Sequence, residues 1–194
     1  GSAHREPASG HCRLNCMLFL GSEALAAGKV NRYQLRTQYD AVFRNVYVPR
    51  GTELTHVDKA VAAWLWSGRK ATLVGLSAAA LHGSRWIDAK HPAELNQPSQ
   101  HKTGGIVLHS DNLWDDETCL VHGITVTTPE RTAFDLGRRR GLEKAVIRVD
   151  ALLQRCHCLF QAHVFRDTAR PPLLLHIAHD PDRSVIEFFL ALDR

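Results

Sequence analysis

Five basic side chains, Lys29, Arg32, Arg36, Arg44 and Arg50, fall within a 22-residue stretch that holds a single acid, Asp40. Cations gathered in this way neutralise phosphates, so the chemistry they offer is the grip on a polyanion. Residues 29–50 carry five positive charges and one negative, which equals the net charge of +4 of the whole 194-residue chain. The remainder therefore sums to neutral. The competing reading is an ordinary solvated surface, because Arg and Lys are common on exposed faces.

Three other groupings have residue types that do chemistry. Ser77 and His82 are a nucleophile and a base by type. Five residues apart on one short helix they point in different directions, and a helix-capping role accounts better for Ser77. Asp111, Asp115, Asp116 and Glu117 could hold a divalent cation, but they lack the glycine-centred spacing of an EF-hand and read as a solvated loop. The cysteines, Cys12, Cys16, Cys119, Cys156 and Cys158, are odd in number and spread without a framework, which suits a reducing compartment. A zinc site joining "HCRLNC" to "CHC" would set Cys-x3-Cys against Cys-x-Cys, which is not a common structural pairing. Twelve histidines form no constellation that marks a pH switch. The expectation is therefore no metal, no cofactor and no catalytic residue.

The elements that must position the basic cluster follow from local signals. Ser22 is placed to cap a short helix, "EALAAG", that ends at Gly28. Asn31 followed by Gln34 is a capping-box-like start for a second helix, "RYQLRTQ", with Arg32 and Arg36 on one face and Tyr33 and Leu35 turned inward. "YDAVF" and "VYVP" read as two strands with Arg44 at their tight turn. Helix, turn, basic helix and basic-tipped hairpin is the order of a winged helix-turn-helix. There, helix and wing cations contact phosphates on either side of a groove while one or two side chains reach base edges. The helix that usually precedes such a turn has no counterpart here.

Downstream, "HVDKAVAAWLWSG" is an apolar-periodic helix ending at Ser67 and Gly68, with Trp64 and Trp66 as core and interface residues. "ATLVG" reads as a buried strand, followed by a small-residue helix, "AAALHG", that Ser77 caps and Gly83 closes. Residues 84–104 read as an extended crossing with one short strand, "AELN". "GIVLHS" is a strand, "DNLWDDETC" a polar connection with one helical turn, and "LVHGITVTT" a hairpin turning at His122 and Gly123. Thr128 caps the next helix, Pro129 takes its first position, and Arg131 and Asp135 form an i,i+4 pair. Arg138, Arg139 and Arg140 suit the negative end of that helix. Gly141 separates it from an amphipathic helix in which Ala145, Val149 and Leu152 share a face with Val146 and Leu153.

The succession "QLRTQYDAVFRNVYVP", "ATLVGLSAAALHG", "GIVLHSDNL" and "VHGITVTTPERTAFDL" resembles the AbiEi-type antitoxins of type IV toxin-antitoxin systems, in particular their actinobacterial branch. The similarity covers about residues 18–155. Its most specific parts are Ser77-Ala78-Ala79 with His82-Gly83, and Thr128-Pro129 with Arg131-Thr132 and Asp135-Leu136. The resemblance implies a small winged helix that binds operator DNA, followed by an α/β domain. It also implies repression of the protein's own operon and a nucleotidyltransferase-like toxin as partner. Carried over, DNA contact falls on Arg32, Gln34, Arg36 and Arg44, to which the charge cluster adds Lys29 and Arg50. Some actinobacterial relatives continue into a domain similar to the very-short-patch-repair endonucleases (Vsr-like, PD-(D/E)XK type). After Arg155 the sequence departs from the family, and it offers Asp180, Asp182 and Glu187 without the following Lys or Gln such a nuclease needs.

The expected fold class is α+β, a small N-terminal winged helix-turn-helix followed by a mixed α/β domain. The divisions are 1–17 as a leader or tag, with native translation expected to begin at or near Met17, 18–50 as the DNA-binding unit, 55–155 as the α/β domain and 156–194 as a divergent tail. No run approaches the roughly 20 apolar residues of a membrane span. A cytoplasmic repressor acting on double-stranded DNA, as a homodimer on an inverted repeat, is the leading expectation. The alternatives are a truncated or accessory part of a Vsr-like nuclease and a purely protein-binding antitoxin.

Overall fold

The computed structural model describes residues 18–98, 103–139 and 141–163. The expected leader, residues 1–17, Arg140, and the tail beyond His163, with Asp180, Asp182 and Glu187, lie outside them.

The first elements are β1 (Phe19–Leu20), α1 (Gly21–Ala26), α2 (Arg32–Gln38), β2 (Tyr39–Phe43) and β3 (Val46–Pro49). The three strands form an antiparallel sheet in the order β1-β3-β2, with Leu20 opposite Val46 and Tyr39 opposite Pro49. The β2–β3 hairpin turns at Arg44 and Asn45, and Asn45 takes a left-handed φ of 67° that Asn tolerates better than most residues. Phe19 packs edge-on to Tyr39 and stacks on Tyr47, which closes the surface of this sheet.

Next comes α3 (His56–Trp66), started by a full capping box between Thr55 and Asp58. Ala60, Ala62 and Ala63 are completely buried along it, and these small side chains let α3 lie close to its neighbours. It packs against all three strands of the small sheet and also against α4 (Gly75–Leu81) and β5 (Ala93–Asn96). One core therefore runs from Phe43 and Val46 in the small sheet, through α3, to Leu73, Leu95 and Val126 in the larger one. The basic unit is built onto the rest of the chain by shared burial rather than tethered by a linker.

The larger sheet adds β4 (Thr72–Leu73), β6 (Ile106–His109), β7 (Thr118–Val121) and β8 (Ile124–Thr127) in the order β6-β5-β4-β8-β7. It is mixed: β5 with β6 and β4 with β8 are parallel, while β4 with β5 and β7 with β8 are antiparallel. The expected hairpin turn at His122 and Gly123 is present, with both residues at positive φ. α5 (Pro129–Arg139) and α6 (Leu142–His163) follow. Leu136, Val149 and Leu152 join Leu76 and Ala79 of α4 in a second core. α6 runs on through residues 156–163, past the expected boundary at 155. The described residues are thus a mixed α+β fold.

Two expected caps are corrected. Ser22 does not cap α1; the Asn45 side chain does, its Oδ1 accepting from the Ser22 amide at 2.9 Å while its Nδ2 donates to Ser22 Oγ at 2.8 Å. Ser77 is not a cap either, because α4 begins two residues earlier, at Gly75, after Val74 leaves the strand. Gly75 has a φ of +54°, and a Cβ there would collide with the buried Glu94 carboxylate, so the sharp strand-to-helix step needs a residue without one. Ser77 Oγ instead accepts from the Glu94 amide at 2.9 Å, stitching α4 to β5.

Candidate nucleic-acid interface

α2 starts where Asn31 leaves it no choice. Asn31 Oδ1 accepts from the Gln34 amide and Gln34 Oε1 accepts from the Asn31 amide, each at 2.8 Å, so the expected capping box is complete. Gln34, half-buried and engaged in that reciprocal bond, serves the helix start first. At the other end Arg50 anchors the helix to the hairpin base. Its Nη2 donates to the Arg36 carbonyl at 3.0 Å, its Nε pairs with Asp40 at 3.2 Å, and its amide donates to the Gln38 carbonyl at 2.9 Å. Arg50 is thus a strut, and it neutralises the acid within the basic stretch.

On the α2 surface only Leu35 is buried. Arg32, Tyr33, Arg36 and Thr37 are exposed, which at about 100° per residue makes one continuous strip opposite Leu35. The inward expectation for Tyr33 is corrected: its side chain is 68% exposed. The helical period already held that answer, because residues two apart lie about 200° round the helix and cannot share a buried face.

Lys29 is exposed in the turn between α1 and α2, just after Gly28. Arg44 is exposed at the hairpin tip, beyond the far end of β2 from α2, six residues or roughly 20 Å along the chain from Gln38. The structure therefore gathers Lys29, Arg32 and Arg36 around one helix and holds Arg44 apart. Glu23 on α1, another acid nearby, is paired twice with Arg69 at 2.6 and 2.9 Å, and that bond holds its carboxyl below the usual range. With Glu23 and Asp40 both paired elsewhere, no carboxylate pairs with Lys29, Arg32, Arg36 or Arg44 among the described residues.

The other candidate groupings are committed to structure. His82 Nε2 donates to the Thr127 carbonyl at 2.8 Å and burial pushes its pKa down, while Ser77 bonds to the Glu94 amide. The two are spent on separate strands. Thr128 Oγ1 accepts from the Arg131 amide as the expected cap of α5, and Arg131 reaches Asp135 at 3.4 Å. Asp111 and Glu117, read as solvated loop acids, instead join a compact ion-pair network. Arg131 bonds Glu117 at 2.6 Å, Arg138 bonds Asp111 at 2.7 Å and the buried Asp135 at 2.9 Å, and Arg139 also bonds Asp111. Burial works to raise the carboxyls of Asp111 and Glu117, yet both are held low, Asp111 by Arg139 and Arg138 and Glu117 by the Trp114 amide and Arg131. Arg138 and Arg139 thus do more than suit a helix end: they tie α5 to the loop after β6.

Among the described residues no group of His, Cys, Asp and Glu is placed to hold a metal ion. Cys119, a free thiol, is half-buried and burial raises its pKa; Cys12 and Cys16 of the weighed zinc arrangement lie outside the described residues. No described helix is long and apolar enough to cross a membrane. In comparisons with known proteins, no family model matches the chain and no curated protein matches it.

Proposed function

We propose that the protein is a sequence-specific repressor that binds double-stranded DNA through α2 and the β2–β3 hairpin, in the manner of an AbiEi-like antitoxin acting on its own operator. The observation that carries the reading is the set of four cations, Lys29, Arg32, Arg36 and Arg44, left without carboxylate partners on a unit whose own acids are neutralised by Arg50 and Arg69. Unpaired exposed cations on a rigid helix are what a phosphate backbone needs.

Topology adds support. The order strand, helix, helix, hairpin, with β1 added to β3, supports the winged helix-turn-helix reading. The missing leading helix has a stand-in, because α3, which follows the hairpin, covers the small sheet. Helix and wing cations stand apart along β2, so they can meet phosphates at separate points on the duplex. The hairpin is short and its tip is held by Ser22, which makes for a compact wing carrying one cation.

The test is fluorescence anisotropy of the protein on the duplex upstream of its own gene and on a scrambled duplex of equal composition. Tighter binding to the upstream duplex by tenfold or more supports the repressor. Equal or absent binding transfers the function to a protein partner such as a nucleotidyltransferase-like toxin. That second reading is favoured by the exposed Trp114, Leu120 and Phe134, large apolar side chains of the kind that interfaces cover.

A further inference from the structure

We propose that Tyr33 reads base identity in the DNA that α2 grips, by seating its ring against the C5-methyl group of a thymine in the major groove. The inference rests on the DNA-binding reading and adds to it a specificity-determining residue and the base it selects.

Tyr33 lies beside Arg32 and Arg36 on the exposed strip of α2 and is 68% exposed. A ring left in water on a short helix forgoes most of its burial free energy unless something covers it. Nor is it loosely held. The capping box fixes one end of α2, the Arg50 strut fixes the other, and Thr37 Oγ1 donates to the Tyr33 carbonyl at 2.9 Å. The phenol has no hydrogen-bond partner among the described residues, so the whole side chain is free to face a ligand.

Its neighbours on the strip define what that ligand surface is. Arg32 and Arg36 lie side by side on the strip, about 40° apart round the helix, with Tyr33 about 60° beyond Arg36; with the two guanidiniums on phosphates, the ring faces the groove beside them. The ring carries no charge, so it releases no counterion and adds nothing to the salt-dependent term; its phenol can donate to a phosphate, but the apolar face of the ring can be buried only against base edges. In the major groove the thymine methyl is the apolar feature an uncharged side chain can bury. Burying one methyl group is worth about fourfold in affinity.

The experiment is a deoxyuridine scan of the upstream duplex, replacing each thymine in turn so that a single methyl is lost and pairing is kept. It is read by anisotropy with the wild-type protein and with Tyr33→Ala, whose exposed site leaves folding intact; matching thermal melts check this. The expected result is one thymine per protomer at which uracil weakens wild-type binding about fourfold, with no effect of that same replacement on Tyr33→Ala. Tyr33→Ala should keep wild-type affinity for the scrambled duplex, whereas Arg36→Ala should lose affinity for both duplexes. A flat scan, or the same scan in wild type and Tyr33→Ala, overturns the role of Tyr33 while the preference for upstream DNA still stands. A wild-type protein with no preference for the upstream duplex overturns this inference and the DNA-binding reading together.

Discussion

His56 sits at the start of α3 where the small sheet meets the rest of the chain, and lowering the pH should loosen the fold there. Its side chain is only 3% exposed, and neither ring nitrogen has a hydrogen-bond partner among the described residues. Burial, reinforced by the positive charges of His91, Lys59 and Arg148 and opposed by Glu94, lowers its pKa from 6.5 to about 4. The folded chain therefore binds fewer protons at this site than the unfolded chain between those two values. Stability from a neutral His56 is complete above the ordinary value and is lost as the pH falls through the window toward 4. Linkage at one such site gives about 2 kcal/mol lost between pH 7 and pH 5, and about 3 kcal/mol by pH 4. The buried His82, also shifted downward, adds a share of the same sign. Urea denaturation of wild type and His56→Leu at pH 7 and pH 5 isolates the His56 share, because the leucine fills similar space without titrating. The variant should lose about 2 kcal/mol less than wild type over this interval, whatever its stability at pH 7. An identical pH dependence in the two proteins would refute the assignment of a neutral, desolvated His56.

Two further substitutions probe the rest of the frame. Asp135→Ala removes the fully buried carboxylate shared by Arg131, Arg138 and Arg139, and breaking such a pair on one side should cost about 3 kcal/mol. A thermal melt should then fall by roughly 6–12 °C, and a shift under 2 °C would mean that Asp111 and Glu117 carry the network without it. Gly75→Ala puts a side chain at φ +54° against Glu94 and should destabilise by about 2 kcal/mol or more; a neutral result in urea would show that the step into α4 can relax.

Local signals in the sequence were reliable where both partners lay within a turn of one another. The Asn31–Gln34 box, the His122–Gly123 turn and the Thr128-Pro129 opening of α5 are of that kind. What the sequence hid depended on distant partners. Ser22 looked like a cap because nothing local competes with it, yet Asn45, 23 residues away, supplies the side chain. Ser77 looked like a cap for the same reason and is drawn into the helix because Glu94 comes up beside it. Arg138 and Asp111 are 27 residues apart, so no periodicity could announce their bond. In the basic stretch the charges were legible, but Arg50 was counted with the DNA contacts although Asp40 and the Arg36 carbonyl hold it. Tyr33 was misplaced although the helical period alone puts it opposite Leu35.

The central claim, that the unpaired cations of α2 and the hairpin grip DNA phosphates, is tested most directly by the salt dependence of binding to the upstream duplex. With Lys29, Arg32, Arg36 and Arg44 each neutralising one phosphate, log K against log salt should slope at about −3.6 per protomer, roughly a hundredfold loss of affinity between 50 and 200 mM salt. Arg36→Ala should reduce that slope by about one. A slope near zero, or one that Arg32→Ala, Arg36→Ala and Arg44→Ala all leave unchanged, would contradict the account.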